Sequence, residues 1–319
     1  MTTHTILYHQ HCADGSAAAL AAWLALGDHE ARYIPCSYGH PLPDDIEAGS
    51  DVYLLDFSAK RGEMLALAMV AGRITVLDHH ASAAAELAGL PELARNTMGA
   101  CEIRTVFDLT RSGCALAWQH FHPGEPMPRL LTLIEDRDLW LFKYPTMSRA
   151  LHYAIDTSCD FRGLAHAMQD ERTLNNLICD GNAIQAYVAR HVGAVTRAAG
   201  PLLRWPAHAE HSGAAPTVRM LNCPPQWFSE AGEHLLAACP DTEIALLYCD
   251  SEKTHRRTWS LRSRKDGPDV AAIAATYGGG GHPCAAGFHT DLDAYALGLV
   301  PCHRSSEYGA ARAPHAAAA

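Results

Sequence analysis

The chain of 319 residues contains no run approaching the roughly 20 consecutive apolar residues that span a bilayer, so a helical membrane protein is not expected. Its opening, MTTHTILYHQH, has no basic segment followed by an apolar core. No secretory leader is therefore expected, and the cytoplasm is the default location. There is no Lys/Arg run, and the net charge is −10 with histidines neutral, which argues against a broad grip on duplex nucleic acid. Aromatic residues make up only 8%, too few to suggest a stacking channel for long single strands. No CxxC pair occurs, which removes a zinc ribbon. The cysteines number 11, an odd count without secretory context, and read as reduced thiols rather than a disulfide framework.

What is present is material for a substantial core: 48% of residues are hydrophobic and 19% charged. In the first half, short apolar runs alternate with helical stretches. Strands are predicted at 5–9, 51–57 and 73–78, with helices at 15–26 and 62–70 between them. The strands are almost wholly apolar, as expected where a parallel sheet is covered by helices on both faces. The pattern turns helical from about 105 to 190, with helices predicted at 112–121, 128–134 and through 162–191. A Pro- and Gly-punctuated connection leads to a second α/β unit, with strands at 218–223, 244–250, 257–263 and 285–290 and helices at 229–239 and 270–277. The expected organisation is a first domain over 1–195, a linker over 196–216, a smaller domain over 217–300 and a frayed tail over 301–319.

Polar residues fall where the apolar strands end. The first strand ends in His9 and leads to Asp14, the second ends in Asp56, and the third in Asp78, His79 and His80. In an open parallel sheet the carboxyl ends of the strands form the ligand crevice, so acids and imidazoles are delivered to one edge. Gly15 permits a tight strand-to-helix turn. Such a donor set suits divalent metals at a hydrolytic centre.

The tripeptide Asp78-His79-His80 after RITVL, with an Asp at the preceding strand end, resembles the DHH phosphoesterase superfamily. HQHCADG (9–15) looks like its first motif and IEDRDLW (134–140) like its fourth. SLRS (260–263) and GGGGHPCAAGF (278–288) look like the DHH-associated domain, so the resemblance runs from about 5 to 290. It implies an α/β catalytic domain followed by a smaller α/β substrate-binding domain. It also implies two divalent cations, manganese or cobalt in first place, held by His9, Asp14, Asp56, Asp78 and His79, with Asp56 bridging. From the fourth motif Asp136 is favoured as a ligand, with Asp138 the alternative. His80 is assigned to the phosphate and, with Asp78, to catalysis. Cys12 departs from the pattern, standing where many members carry an Asp; it is either a softer ligand or a bystander.

On the substrate side the resemblance points to Arg262, Ser263, Gly279, Gly280, Gly281 and His282, with the glycines letting backbone amides approach an anion. The implied activity is a phosphodiesterase acting on short oligonucleotides, linear dinucleotides or cyclic nucleotides and releasing nucleoside monophosphates by two-metal activation of water. Action on 3′,5′-bisphosphonucleotides as a phosphomonoesterase, or nucleotide sensing without catalysis, are the other readings. The expected partner is a short nucleotide substrate, with neither duplex nucleic acid nor membrane, and a homodimer is a reasonable assembly for an enzyme of this size. His11, His120, His122, Asp108, Asp156 and Asp160 read as ordinary surface, capping or helix-end residues.

Overall fold

A computed structural model describes residues 4–98, 101–155, 161–205, 215–292 and 297–302. The chain divides into two compact units, Met1–His191 and Val192–Ala319. Residues 206–214 of the expected linker and the tail beyond 302 lie outside the described residues, as do Asp156 and Asp160.

The first unit is built on five parallel strands: β1 (His4–His9), β2 (Ala31–Cys36), β3 (Asp51–Leu55), β4 (Arg73–Asp78) and β5 (Glu102–Phe107). Its helices are α1 (Ala13–Glu30), α2 (Arg61–Ala68), α3 (Ala81–Glu86), α4 (Leu90–Met98), α5 (Gly113–Phe121), α6 (Arg129–Asp138), α7 (Pro145–Ala154), α8 (Leu164–Gln169) and α9 (Glu171–Thr196), the last reaching into the second unit. Neighbouring strand residues point to opposite faces, so each central strand feeds two cores. Ile6, Leu55 and Leu77 pack with α1, α5 and α6, whereas Leu7, Leu54 and Val76 pack on the other face with Met64 and Leu67 of α2. Each such side chain is buried, and burial of one contributes roughly 1.5–3 kcal/mol. The sheet, parallel and covered on both faces, is the architecture expected from the apolar strand runs.

Strand order is β2-β1-β3-β4-β5. The chain leaves β1 in one direction to form β2 and returns to lay β3 on the other side of β1. This reversal is a topological switch point, and it opens a crevice beyond the carboxyl ends of β1 and β3. The edge strands β2 (ARYIPC) and β5 (EIRTVF) are not anticipated from the sequence. Both interleave polar with apolar residues and are only partly buried, so neither presents an apolar run.

The second unit carries one mixed sheet in the order β10-β11-β9-β8-β7-β6-β12. Its strands are β6 (Leu203–Arg204), β7 (Thr217–Asn222), β8 (Ile244–Ser251), β9 (Arg256–Ser263), β10 (Gly280–His282), β11 (Ala285–Asp291) and β12 (Val300–Pro301). Helices α10 (Phe228–Ala238) and α11 (Val270–Ala275) complete it. Leu246, Leu261, Trp259 and Phe288 form its core with Val270 and Ile273 of α11. Among the described residues no helix is long and apolar enough to cross a membrane.

Candidate metal centre

Beyond His9 the chain turns through His11, whose φ of 55° lies in the left-handed region, and enters α1 at Cys12. The turn is tight because of Gly15. A Cβ there would lie 2.3 Å from the His9 carbonyl oxygen, so no side chain fits. Asp14, in the first turn of α1, is buried, and its carboxylate accepts the amides of Gly113 (2.6 Å) and Cys114 (3.0 Å) at the start of α5. A helix N-terminus thus holds the acid in place. Gly113 has its own constraint, since a Cβ on it would sit 2.4 Å from Asp56 Cβ.

Asp56 follows β3 with φ 53°, a conformation few non-glycine residues adopt. Its amide is bonded to the Leu77 carbonyl at 2.9 Å. One carboxylate oxygen lies 3.1 Å from His79 Nε2 and the other 3.3 Å from His9 Nδ1. Burial works to raise the Asp56 carboxyl, but the hydrogen bonds to His79 and His9 outweigh it and keep it ionised.

Asp78 is fully buried at the end of β4. One oxygen accepts the amides of His79 (2.7 Å) and His80 (3.2 Å) and lies 2.7 Å from His80 Nδ1, and the other accepts the Ser58 hydroxyl at 2.5 Å. Burial pushes this carboxyl up too, and the contact with His80 more than reverses it. In return Asp78 lifts His80 to about 9 against the desolvation of the ring. Asp78 therefore orients an imidazole, as carboxylates commonly do at metal centres.

His79 carries the clearest electrostatic signature. Its Nε2 lies 3.1 Å from Asp56, 3.5 Å from Asp138 and 3.7 Å from Asp14. Desolvation disfavours the imidazolium, yet these carboxylates raise its pKa to about 10. Burial, with Asp56 and Asp138 nearby, holds Asp14 above its ordinary value. Several carboxylates converging on one nitrogen create a potential that a cation relieves. Among the described residues of the first unit, three sets of donors have atoms within 4.8 Å of one another: His9, Cys12 and Asp56; Asp14, Asp56 and His79; Asp56, Asp78 and His80. Asp56 is common to all three. A carboxylate shared by neighbouring donor sets is the arrangement a two-cation centre requires, so these residues fit divalent metal ions.

The structure brings His9, Cys12, Asp14, Asp56, Asp78, His79 and His80 together. Burial, reinforced by Asp56, Asp138 and Asp14, pushes the Cys12 thiol well above its ordinary range. Asp136, the acid favoured from the fourth motif, is engaged by backbone amides. Its oxygens accept the amides of Lys143 (2.7 Å) and Tyr144 (3.0 Å), tying down the entry to α7, and among the described residues neither it nor Asp138 is in a donor set. Asp138, the alternative, is the acid that reaches His79. Positions two apart on a helix face in nearly opposite directions, so only one of the pair can point at the centre. Sequence reasoning also passes over Tyr38, Ser58 and Gly113. Only the last has a readable signal, the Ser-Gly start of a helix.

In the second unit, Arg262, Ala285 and His282 lie in one row across β9, β11 and β10. Directly paired residues share a face, so the arginine and the histidine flank a small alanine. Arg262 is bonded to Ser260 Oγ (2.8 Å), the Leu261 carbonyl (2.9 Å) and Ser229 Oγ (3.1 Å), and a Cβ on Gly232 would lie 2.7 Å from its Cγ. Ser263 is turned to the opposite face, its amide bonded to the Cys284 carbonyl. The glycine run is not an open loop: Gly280 and Gly281 belong to β10. Cβ atoms would lie 2.1 Å from the Gly287 carbonyl oxygen at Gly279 and 2.5 Å from that of Ala285 at Gly281, where φ is 143°. Close backbone approach within the hairpin accounts for both glycines.

No family model matches the chain. The uncharacterized protein R106 of Acanthamoeba polyphaga mimivirus is 28% identical over 296 residues, covering 88% of this chain. The chain spans 66% of that relative, just under two thirds of its length. Among solved structures, exonuclease RecJ bound to manganese is similar with a TM-score of 0.50 and 15% identity, over 91% of this chain and 86% of RecJ. The pGpG-specific phosphodiesterase PggH from Vibrio cholerae has a TM-score of 0.44 and 12% identity, over 91% of this chain and 94% of its own. The likeness to RecJ establishes the fold: a parallel α/β unit followed by a mixed-sheet unit.

Proposed function

We propose that the protein is a metal-dependent phosphodiesterase that hydrolyses short oligonucleotides, linear dinucleotides or cyclic nucleotides to nucleoside monophosphates. The observation that carries this reading is the buried Asp56 carboxylate, shared by three donor sets at a switch-point crevice. Two divalent cations, manganese or cobalt by preference, would supply charge to neutralise phosphoryl oxygens and to acidify water. The chain's own residues prepare the rest. Asp14 is fixed by the α5 amides, so the donor set needs little reorganisation. Asp78 holds the His80 ring through Nδ1, and His80, partly open to solvent, is placed to donate a proton to the oxygen that leaves phosphorus. We assign His9, Cys12, Asp56, Asp78, His79 and Asp138 to the rest of the donor set. In the second unit we assign substrate holding to Arg262 and His282, as a charged fork and a hydrogen-bond donor for phosphate oxygens. The negative net charge favours a short substrate over duplex nucleic acid, and we place the activity in the cytoplasm.

The test is an assay of metal-stripped protein on a linear diribonucleotide, a 2′,3′-cyclic and a 3′,5′-cyclic nucleotide, and a 3′,5′-bisphosphonucleotide. Each is run with manganese, cobalt, zinc or magnesium. Metal-dependent turnover of the diester substrates, abolished by Asp78→Ala, is expected. Turnover of the bisphosphonucleotide alone would make the protein a phosphomonoesterase. Nucleotide binding without turnover under any metal would make it a sensor.

A further inference from the structure

Tyr38 is the residue at this centre that the proposed chemistry leaves unused. It lies in the segment after β2, two residues beyond Cys36, and Cys36 is the register partner of His9. That segment is tied to the His9 turn: the Gln10 amide donates to the Cys36 carbonyl at 2.8 Å, and the Ser37 hydroxyl donates to Gln10 Oε1 at 3.2 Å. The Tyr38 ring centroid lies 5.0 Å from Phe57, 5.3 Å from His9 and 5.9 Å from His80. None of the three rings lies parallel to it, the angles being 44°, 73° and 70°. Despite this anchorage 46% of Tyr38 is exposed, among the larger exposures of any bulky apolar or aromatic residue described.

The Tyr38 ring is braced against Phe57 and two imidazoles of the metal centre, yet nearly half of the residue's surface stays exposed. We propose that Tyr38 is the nucleobase platform of the site: the base of the nucleotide whose phosphate lies at the Asp56 cluster stacks on the open ring. Every base has a π-face, so such a platform holds nucleotides of any sequence and selects them over phosphoesters without a base. The inference rests on the nucleotide phosphodiesterase reading and narrows it. Tyr38 is a substrate-positioning residue and takes no part in proton transfer.

The test compares wild type, Tyr38→Phe and Tyr38→Leu, all loaded with manganese, by titration calorimetry with AMP and with ribose 5-phosphate. Leucine keeps apolar bulk against Phe57 while removing the π-face, so loss of folding is not the expected consequence. Stacking is worth about 1–3 kcal/mol per base, so Tyr38→Leu is expected to weaken AMP about tenfold or more. Tyr38→Phe should bind AMP as wild type does, and ribose 5-phosphate should bind all three proteins equally. With a diribonucleotide substrate, Tyr38→Leu should raise KM with kcat little changed. Undiminished AMP binding by Tyr38→Leu, or an equal loss for ribose 5-phosphate, would overturn the platform while leaving the phosphodiesterase intact. If wild type binds neither ligand, the phosphodiesterase reading fails and the platform with it.

Discussion

Gly113 and Asp56 are in direct backbone-to-side-chain contact: a Cβ on the glycine would stand 2.4 Å from Asp56 Cβ and 2.9 Å from its Cα. Helix α5 can therefore start where its amides reach Asp14 only because this position lacks a side chain. Gly113→Ala is expected to push Asp56 out of line with His9 and His79. Overpacking of this kind costs about 1–3 kcal/mol. Thermal unfolding should show a lowered midpoint, and metal-dependent turnover should fall by at least about tenfold, since small displacements at a reacting centre have such effects. A variant with wild-type turnover would show that Asp56 is not the central carboxylate.

The two acids of α6 should separate cleanly on substitution. Asp138→Asn removes a carboxylate from the His79 environment, and the expected result is metal affinity reduced about tenfold or more with the unfolding midpoint little changed. Asp136→Asn leaves the amides of Lys143 and Tyr144 competing for a single oxygen, at a cost of about 1–3 kcal/mol in stability. Metal titration and thermal melts on both variants decide the assignment, and the reverse outcome would restore Asp136 as ligand.

Metal addition should stabilise the chain. For a ligand that binds only the folded state, a concentration of about 100 times Kd contributes about 2.7 kcal/mol. Manganese is expected to raise the melting temperature of wild type in a concentration-dependent way. Asp56→Asn, which weakens all three donor sets at once, should abolish the rise. A rise that persists in this variant would place the cation elsewhere.

His152 on α7 gives a pH dependence of stability. Burial, aided by the charge of Arg137, depresses its pKa to about 3. In the unfolded chain the ring titrates near 6.5, so between these values the unfolded state binds the extra proton. Its contribution to stability is fully present above about pH 6.5 and is lost as pH falls towards 3. Melts from pH 7 to pH 4 should fall more steeply for wild type than for His152→Gln. Parallel profiles would show that the histidine is not held neutral by the fold.

The legible parts of the molecule are those where a single local signal coincides with a single structural role. Almost wholly apolar runs mark β1, β3 and β4 because strands covered on both faces have little room for polar residues, and an acid or imidazole closing such a run stands out. His9, Asp56 and Asp78–His80 are read that way. The edge strands β2 and β5 carry no such mark, and with β2 hidden the Tyr38 segment attached to it has no visible reason to be near His9.

Sequence by itself determined which chemical groups the strand ends of the first unit would offer, since a side chain's period along a strand is fixed by backbone geometry. Tertiary structure alone decided which acid of α6 faces His79, that the α5 amides secure Asp14, and that the glycine run pairs as β10. Those outcomes depend on how one helix is rotated against the sheet and how closely two backbones approach. Both are set by packing between segments distant in the chain, and no local pattern of residues encodes them.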